Sequence, residues 1–160
     1  MSAKVLRKQL YGSFKNRAMM YWHIYQVLKK EIGEQKAVMI LKRGIYNRGL
    51  EIGRPFKKFA PADLSGLKDA FFEFIPDDGK MFDPEAQRCD DDGLDIKMRR
   101  CPLKEAWQEA GLKSSEIARM CDIAASVDKG TFEGAGFGFS IETWTPGQHG
   151  CCRLKIRPGK

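Results

Sequence analysis

The side chains with the clearest potential for chemistry begin at residue 99. Cys101 follows Arg99 and Arg100 and precedes Pro102, a residue that suits the first position of a helix. A thiol at a helix N-terminus beside two guanidinium groups is expected to have a lowered pKa and the reactivity of a thiolate. Cys101 is therefore a candidate nucleophile or a proton donor to a leaving group; its alternative role is that of a structural N-cap.

Two carboxylates follow in the segment DKGTFEGAGFGF, which begins at Asp128 and contains Glu133. The density of glycine predicts a tight loop after Asp128, where the backbone comes close to another group. A carboxylate held in such a loop is a candidate general acid or base. Glu133 is the first candidate and Asp128 the second, and the alternative for both is hydrogen bonding to the local backbone.

Other candidates surround this stretch. His149, in the loop of the last predicted hairpin, is an alternative acid. Arg99 or Arg100 is the candidate for binding a substrate carboxylate, because arginine binds carboxylates in a bidentate manner. Trp107 and Cys152 are further candidates for binding the substrate, and the alternative for Trp107 is a place in the core or the pocket wall. Strand alternation predicts that at most one of Cys151 and Cys152 lines the same pocket, and Cys121 is expected in the core.

Three segments carry a resemblance to a known family: RCPLKEAW from Arg100, MCDIAASVDKGTFEGAGF from Met120 and GCCRLKI from Gly150. With these segments the chain resembles the L-2-amino-thiazoline-4-carboxylic acid hydrolase family. The resemblance implies hydrolytic opening of a 2-aminothiazoline ring to N-carbamoyl cysteine. This reaction requires water to attack the amidine-like carbon, a base to take its proton, and protonation of the departing sulfur. The substrate itself is not fixed by the resemblance, because families diverge in substrate while keeping the fold.

Composition excludes several other classes. The 160 residues are 42% hydrophobic and 31% charged, without an apolar run of bilayer length or a secretory signal, so we expect a cytoplasmic protein. The net charge of +7 is spread along the chain without a nucleic-acid-binding motif. We therefore expect a small-molecule substrate and neither nucleic acid nor membrane as a partner. The aromatic-rich first helix offers a surface for a homo-oligomer.

Cysteine usage leaves one alternative open. Five cysteines without an export signal predict free thiols, and the two histidines do not form a zinc motif. We expect neither a cofactor nor a metal. A metal site assembled from distant residues is the alternative, and its ligands would be Cys101, Cys121, His149 and Cys152. The corresponding alternative function is a small-molecule or metal-binding sensor domain of vinyl-reductase-like type that does not catalyse a reaction.

Periodicity predicts the elements that position these residues. Apolar side chains recur every three or four residues over 10–32 and 34–52, and Asp63 is suited to cap a third helix. Hairpins are predicted from 81–89 with 94–100 and from 136–145 with 151–157, with two helices between them. We therefore predict one α+β domain over residues 1–160, with a helical part (1–75) and a sheet and site-bearing part (80–160). Its four-stranded, mainly antiparallel sheet packs against helices.

Overall fold

The computed structural model describes residues 1–160 and contains six α-helices, one 3₁₀ helix and four strands. None of the helices combines the length and the apolar character that crossing a bilayer requires. The helices are α1 (Ala3–Ile32), α2 (Glu34–Ile52), α3 (Leu64–Phe74), α4 (Pro102–Glu109), α5 (Ser114–Ala124) and α6 (Ser126–Ala135), with the 3₁₀ helix at Arg54–Phe59. The strands are β1 (Pro84–Asp90), β2 (Gly93–Met98), β3 (Gly138–Glu142) and β4 (Arg153–Arg157).

The sheet has the strand order β1-β2-β4-β3, and every neighbouring pair is antiparallel. Leu94 of β2 pairs with Ile156 of β4, and Ile96 pairs with Leu154; all four side chains are buried in the core. The alternating positions carry charged side chains on the opposite face. The α+β fold with a four-stranded antiparallel sheet is therefore as predicted, and helices cover its apolar face.

The local start and stop signals explain the helical layer. Gly33, at a φ of 83°, separates α1 from α2. The Asp63 carboxylate accepts a hydrogen bond from the backbone N–H of Gly66, 2.9 Å away, and so caps α3. Pro102 begins α4 directly after Cys101. These residues therefore fix where α1 ends and where α2, α3 and α4 begin.

The prediction of a glycine loop after Asp128 is wrong, because this segment is the helix α6. Three helices rather than two therefore separate the hairpins. A Cβ atom built on Gly130 would lie 2.1 Å from the carbonyl oxygen of Tyr46, and one on Gly49 would lie 2.3 Å from that of Val127. These glycines therefore let the backbones of α2 and α6 touch. Gly136, at a φ of 100°, ends α6 in a left-handed conformation.

This contact predicts opposite effects for two helical glycine substitutions. Gly130→Ala should lower the free energy of unfolding by about 1–3 kcal/mol, because the new methyl group clashes with backbone atoms of α2. Gly44→Ala, the matched control in α2, should raise it by about 0.5–1 kcal/mol, because nothing lies within 4 Å of that position. Urea unfolding of both variants measures the difference. Equal shifts of the same sign would contradict the close approach of α2 and α6.

Candidate active site

A cavity of about 280 Å³ lies where several elements meet. Its wall comes from α1, α3, the start of α4, the end of α5, the first turns of α6 and the residues around β4. Aromatic and aliphatic side chains make most of the wall, among them Phe14, Phe71, Phe82, Met98, Leu103, Trp107 and Leu154. Trp107 lines it, and its indole N–H donates a hydrogen bond of 2.9 Å to the carbonyl oxygen of Ala18. A mostly apolar space with few polar groups is typical of small-molecule sites.

Asp128 is the one carboxylate in the cavity wall. It lies in the first turn of α6, close to the break between α5 and α6. Burial raises the pKa of this carboxyl from 3.8 to about 7, against the smaller, opposing effects of the Arg17 guanidinium and of its own backbone N–H. Near neutral pH both protonation states are therefore populated, so Asp128 can accept and return a proton.

Arg17 of α1 is the one basic side chain in the wall. Its guanidinium lies over the ring of Phe14, 4.6 Å from the ring centroid, and it forms no ion pair in the structure. Arg17 was not among the residues predicted from the sequence, because nothing local distinguishes it from the other basic residues of α1. Only the tertiary fold brings it close to Asp128.

Glu133, the first carboxylate candidate, lies outside the cavity. It accepts a hydrogen bond of 2.9 Å from the hydroxyl group of Tyr46, so it faces α2. Burial, together with this interaction, raises the pKa of the Tyr46 hydroxyl. Because α6 is a helix and not a loop, Asp128 and Glu133 point in different directions, and the structure places only Asp128 at the cavity.

The two predicted carboxylate-binding arginines also lie outside the cavity. Arg99 pairs with Asp83 at 2.9 Å, and Arg100 pairs with Glu105 at 3.1 Å. Both are exposed to solvent. His149 is exposed too and lines a second, polar groove of about 310 Å³, which shares only Cys151 with the cavity. These three residues are therefore not brought together with Asp128.

Cys101 occupies the predicted N-terminal position of α4 and lines the cavity. The predicted lowering of its pKa is wrong. The interaction with the Cys151 thiol, together with burial, holds the pKa of Cys101 well above its usual range, and the backbone N–H groups of Lys104 and Leu103 offset this only in part. Arg99 and Arg100 point away, so their charges do not stabilise a thiolate. Cys101 is a neutral thiol.

Four of the five thiols gather in the cavity wall: Cys101, Cys121, Cys151 and Cys152. The Sγ atoms of Cys151 and Cys152 are 3.6 Å apart. The expectation that only one of this pair lines the pocket is wrong, because β4 begins after them, at Arg153, and strand alternation does not apply. The thiol of Cys101 lowers the pKa of Cys151, but Cys121, Cys152 and burial outweigh it, so that this pKa is raised.

The distant metal site considered from the sequence is not assembled. His149 does not join the cysteines in the cavity wall. No group of three or more histidine, cysteine, aspartate or glutamate side chains is arranged to hold a metal ion. The four cysteines in the cavity wall are free thiols.

The raised pKa of Asp128 predicts a pH-dependent stability. The folded state binds the proton more tightly than the unfolded chain, because burial raises the pKa of this carboxyl from 3.8 to about 7. The stabilisation that this bound proton gives is therefore lost as the pH rises through this window. Above the window, Asp128 no longer makes the free energy of unfolding depend on pH. Asp128→Asn removes this dependence. In urea unfolding between pH 4 and pH 8, the free energy of unfolding of the variant should rise relative to that of the wild-type protein up to pH 7. A difference that does not change with pH would contradict burial of the carboxyl.

Comparison with known proteins agrees with the resemblance seen in the three sequence segments. A family model described as L-2-amino-thiazoline-4-carboxylic acid hydrolase matches residues 13–155. The matched range runs from α1 into β4 and includes every cavity residue discussed above. No curated protein matches the chain significantly.

Proposed function

Because this chain belongs to the L-2-amino-thiazoline-4-carboxylic acid hydrolase family, we propose that it hydrolyses a cyclic isothiourea carboxylic acid. The substrate class is represented by L-2-amino-thiazoline-4-carboxylate, and the product is N-carbamoyl-L-cysteine. The observation that carries the proposal is the pair Arg17 and Asp128, the only charged side chains in an otherwise apolar and thiol-lined cavity. The family match does not favour the alternative of a sensor domain.

The cavity suits a small anionic ring. Its volume of about 280 Å³ is just below the range of roughly 300–1,000 Å³ typical of ligand sites, as suits a ligand of one small ring. Arg17, which has no partner carboxylate in the protein, binds the substrate carboxylate through charge-assisted hydrogen bonds. Asp128 then lies beside the edge of the ring that carries the ring nitrogen and the amino group.

Asp128 acts as the general base in the ring-opening step. Its carboxylate takes a proton from a water molecule whose oxygen bonds to the ring carbon between sulfur and nitrogen. The bond from this carbon to sulfur then breaks, and its electron pair leaves with the sulfur. The added oxygen loses its second proton and becomes the carbamoyl oxygen, and the two protons end on the ring nitrogen and the thiol of the product. A pKa of about 7 allows Asp128 both to accept and to return a proton at neutral pH.

Water is the nucleophile in this scheme. A thiolate at Cys101 would be required for covalent catalysis, and the raised pKa of this thiol disfavours it. Cys101 keeps its proton and remains a hydrogen-bond donor in the wall. The scheme therefore needs neither an acyl-type enzyme intermediate nor a second active-site base.

Turnover in ¹⁸O-labelled water tests this function. The purified protein is incubated with L-2-amino-thiazoline-4-carboxylate, and ring loss, free thiol and N-carbamoyl-L-cysteine are followed by mass spectrometry. We expect one ¹⁸O atom in the carbamoyl group of the product. Absence of product with a protein that is folded by circular dichroism would contradict the proposed reaction.

A further inference from the structure

The four cavity thiols form a patch in the cavity wall. The Sγ atoms of Cys151 and Cys152 are 3.6 Å apart, and the thiols of Cys101 and Cys121 lie close enough to Cys151 to affect its pKa. The four thiols come from three separate places in the chain: the start of α4, the end of α5 and the residues before β4. Each lines the cavity. Their convergence places a soft, weakly polar surface inside a site whose charged groups are confined to Arg17 and Asp128.

The constitution of the proposed substrate decides which of its atoms faces this patch. The carboxylate-bearing carbon and the amino-bearing carbon both flank the ring nitrogen, so the charged and hydrogen-bonding groups share one edge of the ring. This edge must face Arg17 and Asp128. The sulfur and the methylene carbon lie at the opposite edge. Among the remaining wall residues, only the thiols and Met98 offer polarisable sulfur atoms to that edge.

From this arrangement we infer that Cys101, Cys121, Cys151 and Cys152 form a subsite for the ring sulfur and select a sulfur ring over the corresponding oxygen ring. The inference rests on the proposed function for the orientation of the substrate. Sulfur is weakly hydrated and gains dispersion contacts with other sulfur atoms. A ring oxygen in the same place loses its hydrogen bonds to water and meets only weak S–H donors.

The same patch assists the bond-breaking step. As the bond between carbon and sulfur breaks, negative charge develops on the departing sulfur. The thiols around Cys151 donate S–H hydrogen bonds to this sulfur until it takes up the second proton of the added water, while the first passes from Asp128 to the ring nitrogen. No electrons are exchanged, and the four cysteines stay reduced throughout.

Thiol-to-hydroxyl substitutions test the subsite through a ratio of rates. The ratio of kcat/KM for 2-amino-thiazoline-4-carboxylate to that for 2-amino-oxazoline-4-carboxylate is measured in wild-type protein and variants, so that the intrinsic reactivities of the two rings cancel. Cys151→Ser should lower the ratio about tenfold, because a serine hydroxyl is a strong donor to a ring oxygen. Cys152→Ser, at a partly exposed position, is the second variant should the first not fold. The exposed Cys89→Ser is the control and should leave the ratio unchanged.

A binding measurement separates this inference from the proposed reaction. L-thiazolidine-4-carboxylate and L-oxazolidine-4-carboxylate differ in one ring atom, and calorimetric titration gives the Kd of each. Wild-type protein should bind the sulfur ring about tenfold more tightly, and Cys151→Ser or Cys152→Ser should remove this preference. Such a result without turnover of the thiazoline would overturn the reaction and support the subsite. Equal affinities, or ratios unchanged in both serine variants, would overturn the subsite whether or not the thiazoline is hydrolysed.

Discussion

Replacement of Asp128 by asparagine is expected to lower kcat/KM for L-2-amino-thiazoline-4-carboxylate by about 10²–10⁴-fold, the usual contribution of a positioned general base. The amide has nearly the shape of the carboxyl group but cannot take a proton from water. Because partial burial raises the pKa of this carboxyl to about 7, the variant should fold at least as well as the wild-type protein at pH 8. Initial rates of thiol release give kcat/KM, and a circular dichroism spectrum of the same sample shows whether the variant is folded.

Glu133→Gln is the matched control for this experiment. Glu133 lies on the same helix as Asp128 but is held by the Tyr46 hydroxyl on the side of α2. Its substitution should therefore leave kcat/KM within about threefold of the wild-type value, as expected for a group that does not act in the transition state. Loss of activity in Glu133→Gln with retention of activity in Asp128→Asn would identify Glu133, on the other face of α6, as the base.

Replacement of Arg17 by glutamine is expected to raise KM about 10–100-fold, because one or two charge-assisted hydrogen bonds to the substrate carboxylate are worth about 1.5–3 kcal/mol. The value of kcat should change much less, since this contact is made equally in the ground state and the transition state. The guanidinium also lowers the pKa of Asp128. When the pH is lowered, the variant should therefore begin to lose activity at a higher pH than the wild-type protein does.

Arg100→Gln controls for loss of positive charge near the site. Arg100 pairs with Glu105 at 3.1 Å and is exposed outside the cavity. We expect its KM to stay near the wild-type value. Steady-state kinetics of both variants on the same substrate distinguish the two arginines. A larger rise of KM in Arg100→Gln would indicate that Arg100 binds the substrate carboxylate, as predicted from the sequence.

Local patterns were sufficient for most of the fold. Hydrophobic periodicity gave the bounds of α2, and Gly33, Asp63 and Pro102 act as the predicted helix signals. The error at α6 has a physical cause. Glycine is common both in turns and where two helices come close together. The sequence alone does not show that Gly130 in α6 and Gly49 in α2 lie at such a helix contact.

The site was less predictable than the fold, because its parts are distant in the chain. Asp128, Cys101, Cys152 and Trp107 were candidates from the sequence, and all four line the cavity. Arg17 was not a candidate, since one arginine on a basic amphipathic helix has no local feature that distinguishes it. The pKa of Cys101 was predicted in the wrong direction because the prediction used neighbours in the sequence, whereas burial and Cys151 determine it.

The pH dependence of kcat/KM tests the central claim, that the cavity carboxyl of Asp128 is the base of a hydrolytic reaction. It is measured for the wild-type protein and Asp128→Asn on L-2-amino-thiazoline-4-carboxylate between pH 5 and pH 9. The wild-type activity should fall about tenfold per pH unit below an apparent pKa of about 7, and this acid limb should be absent from the residual activity of the variant. A wild-type profile that is level from pH 5 to pH 7, or an acid limb that persists in Asp128→Asn, would contradict the claim.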